Sequence, residues 1–426
     1  MRGARCPAAA VSKCIRCDAQ SRGPGTHAGR VQRLDHHNHQ LLDAVTAGSK
    51  GPVCVAVSGG SDSLSLLNLA EAWTEKSRRE LLVLTIDHGL RPEAADEACW
   101  VADLARSRGI RVEILTWSPD KRSQNAARQA RHSLLAEAAR RAGASVVLLG
   151  HTLTDVVETL LMRLMRPARL AGAVGPQPVS VSPVWPQGRG IMLARPLLNL
   201  RREDLATDLR GQGQSWINDP SNDADYYERG RIRKLVNALD PARLERICFD
   251  AMRLRAIEDL QLSRFLTNRV RVDQSGLIEA NVQHIEASPA VRARFLDILL
   301  QAASGASQGA AAPSVSALAE TVFDDGPKSR VTLGGAWVQR RGNSLLMGRD
   351  PGEARKGWTG GVWDGRYVGR GAVADIPVLQ ASDLPFLVRD SAPDEPAREI
   401  ISDRLVHWSR ALMLSARFSA VMTLDR

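Results

Sequence analysis

Residues 53–63 read VCVAVSGGSDS, and this stretch decides the fold of the chain. Its first five residues are apolar and do not alternate with polar ones, as expected of a strand buried on both faces. Two glycines follow, and then serines and an aspartate that open a helical pattern. A Gly-Gly turn between a strand and a helix presents backbone N–H groups and the positive end of a helix dipole to an anion. The stretch therefore predicts a phosphate-binding loop at residues 58–63.

This loop differs from the common P-loop, in which a lysine and then a serine or threonine follow the last glycine. Serine and aspartate follow Gly60 here. We expect hydroxyl and backbone N–H groups to hold phosphate oxygens, and Asp62 to hold a Mg2+ ion or to orient the loop. A tight turn without a ligand is the alternative. The predicted ATP-binding residues of the loop are Ser58, Gly59, Gly60, Ser61, Asp62 and Ser63.

The apolar pattern of the first strand recurs three times and predicts a repeating strand–helix unit. The predicted strands are rich in valine, isoleucine and leucine and lie at residues 53–57, 81–86, 112–117 and 146–149. Helical stretches separate them, so the predicted fold class is α/β with a doubly wound parallel sheet. Ligands of such sheets bind beyond the carboxyl ends of the strands. We therefore look for site residues at those ends.

Size and composition restrict the class of protein. A chain of 426 residues is expected to form two or more domains. Its net charge of +10 favours a phosphate-rich partner such as nucleic acid, although an aromatic content of 4% argues against a broad base-stacking surface. No apolar run approaches the roughly 18 residues that cross a membrane. Six scattered cysteines fit a reducing cytoplasm rather than a disulfide framework.

The predicted N-terminal extension, residues 1–48, begins with a segment rich in arginine, alanine and glycine. It lacks the apolar core of a secretory signal, which argues against that interpretation. Two other interpretations stay open: an organelle transit peptide, and a disordered or mis-started N-terminus. Cys14 and Cys17 supply only half of a metal-ligand set. Three histidines follow within a predicted helix at residues 30–46.

The hexapeptide SGGSDS resembles the pyrophosphate loop of the N-type ATP pyrophosphatases, which cleave ATP between its α and β phosphates. Further segments narrow the resemblance to the tRNA(Ile)-lysidine synthetases, over about residues 50–240. These segments are TIDHGLRP at 85–92, NAARQAR at 125–131, GHTLTDVVET at 150–159, RPLL at 195–198, DPSN at 219–222 and RGRIR at 229–233.

That resemblance implies an adenine nucleotide α-hydrolase-like fold and a ligase that forms a carbon–nitrogen bond. In this family ATP activates the wobble cytidine of a tRNA(Ile) with anticodon CAU at its C2 carbonyl oxygen. The ε-amine of free lysine then attacks C2 of the adenylated intermediate, AMP leaves, and lysidine changes codon reading from AUG to AUA. The implied cofactors are ATP and Mg2+, and the implied setting is the cytoplasm without membrane contact. A homodimer stays open.

Two motifs of the resemblance add residues for ATP. Asp87 and His88 end the second predicted strand and join the ATP-binding set. Arg128 follows the third strand on a helix and is expected to stabilise developing phosphate charge. Arg131 shares its helical face. Both arginines could instead cover a solvated surface.

The segment after the fourth strand is expected to bind lysine. Asp155 and Glu158 share a helical face and offer carboxylates to ammonium groups, and a carboxylate can also accept the proton lost before attack. Compensation of the helix dipole is the alternative for this pair, and helix capping or packing is the alternative for His151. Thr154 stands where the family usually has an aspartate, which puts activity in doubt. The predicted catalytic residues are Asp62, Arg128, His151, Asp155 and Glu158.

A dense basic stretch ends the predicted catalytic domain, residues 49–240, and suits tRNA phosphate contact, although an ordinary solvated helix would look similar. Its predicted tRNA-binding residues are Arg229, Arg231, Arg233 and Lys234.

Residues 243–302 read as helical, and the predicted tRNA-contacting region spans 241–304. A flexible linker is predicted at 305–313. It is followed by a small β-containing C-terminal module, residues 314–426, with a predicted hairpin at 331–347.

Two alternative functions stay open. One is a PP-loop tRNA cytidine thiolase, against which the position of the only CxxC pair argues. The other is a non-catalytic ATP- or RNA-binding homologue.

Overall fold

The computed structural model describes residues 27–89, 93–117, 124–165, 175–218, 232, 236, 239–273, 276–324, 329–353, 362–363, 367–368 and 397–422. These residues divide into two compact units. The first unit draws on residues 1–180, 191–256 and 414–426, and the second on residues 181–190 and 257–413.

A six-stranded sheet forms the centre of the first unit. Its strands are β1 (Val53–Ala56), β2 (Leu81–Asp87), β3 (Arg111–Thr116), β4 (Val146–Leu148), β5 (Val179–Val181) and β6 (Met192–Ala194). Their order is β3-β2-β1-β4-β6-β5, and β1 pairs in parallel with both β2 and β4. The chain thus extends the sheet to one side of β1 and then returns to the other side. Because the strand order reverses there, a crevice is expected where β1 and β4 end.

Helices cover this sheet and bury its apolar strands. The helices are α1 (His27–Thr46), α2 (Ser61–Ser77), α3 (Ala94–Ser107), α4 (Gln124–Arg141), α5 (Leu153–Leu164) and α6 (Arg202–Gly211). All residues of β1 and β4 are buried, as are Leu64 and Leu67 of α2 and Leu135 of α4. Burial on both faces explains why these strands lack alternation in the sequence.

The predicted α/β class and the doubly wound sheet are confirmed. The four predicted strands correspond to β1–β4, with ends that differ by one residue. Helix α2 begins at Ser61, because Gly60 is its N-cap residue in extended conformation. Asp62 therefore lies in the first turn of a helix rather than in a loop before it.

The second unit contains a five-stranded antiparallel sheet. Its strands are β7 (Val270–Val272), β8 (Ile278–Asn281), β9 (Val331–Leu333), β10 (Ala336–Arg341) and β11 (Ser344–Arg349), in the order β7-β8-β11-β10-β9. Two helices, α8 (Pro289–Ser304) and α9 (Ala312–Phe323), contribute to the same hydrophobic core. Two short strands, β12 (Val362–Trp363) and β13 (Tyr367–Val368), pair with each other. Helices α7 (Pro241–Arg269) and α10 (Ala397–Met422) contribute residues to both units.

The prediction that residues 243–302 are helical throughout is wrong. Strands β7 and β8 lie between α7 and α8, and β8 pairs with β11 from the predicted hairpin region. In β8 the apolar Ile278 and Ala280 are buried while Glu279 and Asn281 are exposed, which is the alternation of a strand with one covered face. Gly276, at a φ of +79°, supplies the turn between β7 and β8.

The predicted hairpin at residues 331–347 is present as β9, β10 and β11, which are paired antiparallel. The predicted linker at 305–313 lies within the second unit.

None of the described helices is both long enough and apolar enough to cross a membrane.

Candidate active site

The phosphate loop is shaped by its own hydroxyl groups. Ser63 Oγ donates to the carbonyl oxygen of Gly60 at 2.9 Å and accepts the backbone N–H of Ser58 at 3.2 Å. Ser61 Oγ donates to Oδ1 of Asp62 at 3.2 Å. Because Ser63 is buried and makes these internal bonds, it shapes the loop, whereas Ser58 and Ser61 present the more exposed hydroxyls.

Two glycines are required by close approaches around the loop. Gly59 has a φ of +87°, and its carbonyl oxygen accepts the backbone N–H of Ile217 at 2.9 Å. A side chain at Gly59 would also overlap the side chain of Ile217. Gly150 follows β4, and a Cβ atom there would lie 3.1 Å from the carbonyl oxygen of Asp62. The loop after β1 and the segment after β4 are therefore in direct contact.

The start of α5 is organised by a capping box. Thr152 is the N-cap residue, and both its backbone N–H and its hydroxyl donate to Oδ2 of Asp155 at 2.9 Å. Asp155 thus caps its own helix, whereas the sequence left compensation of the helix dipole as the alternative for this residue and helix capping as the alternative for His151. Its second oxygen, Oδ1, faces Arg202 at 3.4 Å. Glu158, one turn further, is buried on the same side of the helix.

One guanidinium joins all three carboxylates of the site. Arg202, the first residue of α6, places Nε 2.7 Å from Oδ2 of Asp62, Nη2 3.4 Å from Asp155 and Nη1 4.0 Å from Oε1 of Glu158. Its backbone N–H donates to the hydroxyl of Thr154 at 3.3 Å. We name Asp62, Asp155 and Glu158 the acidic triad. Three carboxylates and one guanidinium leave this group with a formal charge of −2, which favours a further cation.

The two aspartates of the acidic triad differ in their pKa. Burial raises the pKa of Asp62 above its ordinary value and outweighs the opposing effect of Arg202, and the nearby Asp155 raises it further. Burial acts on Asp155 in the same direction, but Arg202 and the hydrogen bonds from Thr152 together bring its pKa below the ordinary value. Of these two aspartates, Asp155 therefore stays ionised to the lower pH.

A basic cluster lies beside the acidic triad. Its members, Arg128, Arg131 and Arg195, influence one another and His151 electrostatically. Burial and the proximity of Arg128 lower the pKa of Arg131, and bring that of Arg195 to about 10. Burial and then Arg195 are the main causes that lower the pKa of His151 to about 3. His151 is therefore a neutral imidazole at pH 7, beside a concentration of positive charge that suits an anion.

Arg195 of the basic cluster is held by two hydrogen bonds from one of its nitrogens. It is buried, and its Nη1 donates to the carbonyl oxygen of Gln177 at 2.8 Å and to Oγ of Ser180 at 3.0 Å. Among the described residues, neither its Nε nor Nδ1 of His151 has a hydrogen-bond partner. These buried polar atoms are available to a ligand.

The structure brings together some of the predicted site residues and leaves others outside its description. Asp62, His151, Asp155 and Glu158 converge where β1 and β4 end, and Arg128 influences His151 electrostatically. Asp87 ends β2, where its Oδ1 accepts the backbone N–H of Gly89 at 2.9 Å, and His88 follows it. The residues that lie outside the described part of the chain are Arg229, Arg231, Arg233, Lys234, Cys14 and Cys17.

Sequence reasoning missed Arg202 as a site residue, and it used Arg195 only as part of a motif. The segment RPLL served only as a motif of the family resemblance, and no pattern identified which arginine of the pair 201–202 reaches the carboxylates. Arg201 points elsewhere and pairs with Glu245 at 2.6 Å.

The described side chains include no group of three His, Cys, Asp or Glu residues arranged to hold a metal ion. Magnesium commonly uses one or two carboxylates together with substrate phosphates, which a carboxylate in the first turn after a phosphate loop can provide. Asp62 fits that pattern.

A glycine-rich loop at the reversal point of a doubly wound parallel sheet, without the P-loop lysine, defines a PP-loop ATP-binding protein. Residues 34–239 match the PP-loop domain family. Similar proteins include the tRNA(Ile)-lysidine synthases of Hyphomonas neptunium (40% identity, 70% of this chain and 81% of the relative) and Caulobacter vibrioides (33% identity, 83% of each). The chain belongs to the tRNA(Ile)-lysidine synthase family, and it is an enzyme of that type.

Among solved structures, the U34-tRNA thiolase NcsA from Methanococcus maripaludis with its 4Fe-4S cluster is similar at a TM-score of 0.45. Its sequence identity is 15%, over 54% of this chain and 80% of the thiolase.

Proposed function

We propose that this protein uses ATP to join free lysine to C2 of the wobble cytidine of tRNA(Ile) with anticodon CAU. The reaction proceeds through an adenylated tRNA intermediate and yields lysidine, AMP and diphosphate. The observation that carries the proposal is the separation of charge around the ends of β1 and β4. The acidic triad suits the ammonium groups of lysine, and the basic cluster suits phosphate.

The first half-reaction is supported by the loop and the basic cluster. Backbone N–H groups at the start of α2 and the hydroxyls of Ser58 and Ser61 hold the triphosphate. Asp62 would hold Mg2+, which would supply positive charge to the leaving diphosphate. Arg128 and Arg131 stabilise charge on the α phosphate while the cytidine oxygen attacks it. Asp87 and His88 contact the nucleotide where β2 ends.

The second half-reaction is supported by α5. Asp155 stays ionised because Arg202 and Thr152 lower its pKa, so it can hold an ammonium group of lysine. Glu158 is buried beside it and accepts the proton that the ε-ammonium loses before attack. Neutral His151 adds no positive charge that would repel the lysine. Its imidazole can hydrogen-bond to the cytidine or to the adenylate.

The tRNA is held by basic residues at the end of the phosphate-binding domain and immediately after it. The stretch containing Arg231 and Arg233 contributes phosphate contacts. Helix α7 adds three exposed arginines within its first half, Arg243, Arg246 and Arg253, spaced so that they lie along one face. The proposed tRNA-contacting region therefore begins at the start of α7.

Because the substrates of the proposed reaction are a tRNA and free lysine, we place the reaction in the cytoplasm.

The thiolase alternative is less well supported by the described cysteines. Burial raises the pKa of the Cys54 and Cys248 thiols to about 12, so both are protonated at pH 7. A sulfur carrier needs a thiolate. The non-catalytic alternative rests on Thr154, whose hydroxyl accepts the N–H of Arg202 and leaves the acidic triad intact.

One assay tests the proposed function against both alternatives. The protein is incubated with ATP, labelled lysine and a tRNA(Ile) transcript with anticodon CAU, and a transcript with anticodon GAU serves as the control. Lysine incorporated into the first transcript alone, with one diphosphate released per lysine, is the expected result. Sulfur transfer without lysine incorporation indicates a thiolase. Binding of ATP and tRNA without diphosphate release indicates a non-catalytic homologue.

Light scattering of the same sample reports whether the protein is a monomer or a homodimer.

A further inference from the structure

Arg202 is the only described arginine within ion-pair distance of all three carboxylates of the acidic triad. Asp62 belongs to the helix that follows the phosphate loop, and the other two carboxylates belong to α5. The guanidinium therefore spans the parts of the site assigned above to ATP and to lysine. A planar group with donors on three nitrogens can make such a contact, whereas the single ammonium of a lysine side chain cannot reach three carboxylates in this way.

Both ends of α6 are tied to the phosphate loop or to α2. At its start, Arg202 contacts Asp62 at 2.7 Å. Beyond its end, the backbone N–H of Ile217 binds the carbonyl oxygen of Gly59, and Gln214 accepts a hydrogen bond from Asn68 of α2 at 2.9 Å. The hydrogen bond from the Arg202 N–H to Thr154 and these contacts beyond the end of α6 therefore hold its backbone without the side-chain ion pairs.

We propose that Arg202 is a positioning residue that holds Asp62 and the α5 carboxylates at fixed separations, so that the amine of lysine faces the activated cytidine. This inference rests on the proposed function. Arg202 acts through the carboxylates and touches no reacting atom. Without its guanidinium the three carboxylates repel one another and separate, and the lysine amine loses its alignment although the carboxylates that attract it remain.

The test compares Arg202→Gln and Arg202→Lys with wild type in steady-state lysine incorporation. For Arg202→Gln we expect kcat to fall by about a hundredfold, as a displacement of about 1 Å in a reacting group can cause. The KM for lysine should rise much less than kcat falls, by no more than about tenfold, because Asp155 loses Arg202 but keeps the two hydrogen bonds from Thr152 that also lower its pKa. Arg202→Lys keeps the positive charge, but a single ammonium cannot contact all three carboxylates. This variant should therefore recover no more than about a tenth of the wild-type kcat.

Arg201→Gln is the matched control, because Arg201 is the neighbouring residue and pairs with Glu245 outside the acidic triad. It should leave kcat and the KM for lysine unchanged. Thermal unfolding of each variant separates alignment from stability. Arg202→Gln should remain folded at the assay temperature, because α6 keeps its buried Leu205 and Leu209 and its backbone hydrogen bond to Thr154.

Three results would overturn the inference while leaving the proposed function intact. These are an unchanged kcat in Arg202→Gln, full recovery of kcat in Arg202→Lys, and a loss of activity that follows a matching loss of thermal stability. A wild-type protein that incorporates no lysine would overturn the proposed function and this inference with it.

Discussion

The Nε atom of Arg202 lies 2.7 Å from Oδ2 of Asp62, although the two residues are 140 positions apart in the chain. This ion pair joins the start of α6 to the first turn of α2, beside the glycine-rich loop. Because Asp155 and Glu158 face the same guanidinium, the contact unites the residues assigned to phosphate with those assigned to lysine.

Asp62→Ala should abolish diphosphate release. The side chain is removed from the first turn after the phosphate loop, together with the proposed Mg2+ ligand and the ion pair to Arg202, so we expect a decrease of about a hundredfold or more. Diphosphate is measured with ATP and tRNA, with and without lysine. Asp103→Ala, on the exposed face of α3, serves as control and should release diphosphate at the wild-type rate. Normal turnover by Asp62→Ala would disprove the assigned function of the loop.

Glu158→Gln should lower kcat, because an amide cannot accept the proton of the ε-ammonium, and it should raise the KM for lysine with little change in the KM for ATP. The substitution removes a charge-assisted contact to an ammonium group, worth about 1.5–3 kcal/mol, so an increase of roughly tenfold or more is expected. Exposed Glu137→Gln on α4 is the control. If Glu158→Gln raised the KM for ATP instead, the carboxylate would belong to the nucleotide site.

Asp155→Asn should show a binding defect and a stability defect together. Its carboxylate accepts two hydrogen bonds from the N-cap residue Thr152, so weakening this cap should lower the unfolding free energy by about 1 kcal/mol. Denaturant unfolding measures that decrease, and the lysine KM measures the second effect. A loss of stability with an unchanged lysine KM would leave Asp155 with only its capping function.

Thr154→Ala should retain activity. The Thr154 hydroxyl accepts the backbone N–H of Arg202 at 3.3 Å, so its removal should cost about 1 kcal/mol of unfolding free energy. Lysine incorporation should stay within about threefold of wild type, because the acidic triad is unchanged. A complete loss of activity would show that position 154 takes part in the reaction.

The stability of the fold should fall as the pH decreases from about 6.5, in part through His132. Burial, with nearby Arg131, lowers the pKa of this histidine to about 3, below its ordinary value of 6.5. The unfolded chain therefore takes up a proton near pH 6.5 that the folded protein does not. Between pH 7.5 and 5.5 this should cost about 1.4 kcal/mol. The non-titrating variant His132→Gln should lose that much less over the same interval in urea unfolding, and an equal loss in both proteins would contradict the prediction.

Replacing the basic stretch should weaken tRNA binding and its salt dependence. In the quadruple variant Arg229→Ala, Arg231→Ala, Arg233→Ala and Lys234→Ala, the slope of log K against log salt should become shallower. We expect a change of about 0.7 to 0.9 for each tRNA phosphate that the variant no longer neutralises. Filter binding at several salt concentrations measures the slope. A quadruple variant with the wild-type slope would exclude this stretch from the tRNA interface.

The phosphate loop and the strands around it could be predicted because their signals are local. Buried parallel strands leave continuous apolar runs, and a glycine with a φ of +87° marks the turn at Gly59. The convergence of Asp62 with His151 and Asp155 could also be anticipated, since carboxyl ends of neighbouring parallel strands share one edge. Strands β7 and β8 were missed because three or four alternating residues between long helices give a weak pattern.

The sequence by itself determined the α/β class, the glycine-rich loop that begins α2, and the edge of the sheet where carboxylates collect, because periodicity and turn chemistry act over a few residues. Only the tertiary structure decided that Arg202 rather than Arg201 reaches the acidic triad and that Arg195 is buried beside His151. It also decided that β8 pairs with β11. These contacts join residues far apart in the chain, and local sequence patterns carry no information about which distant partners the packing of helices and strands will select.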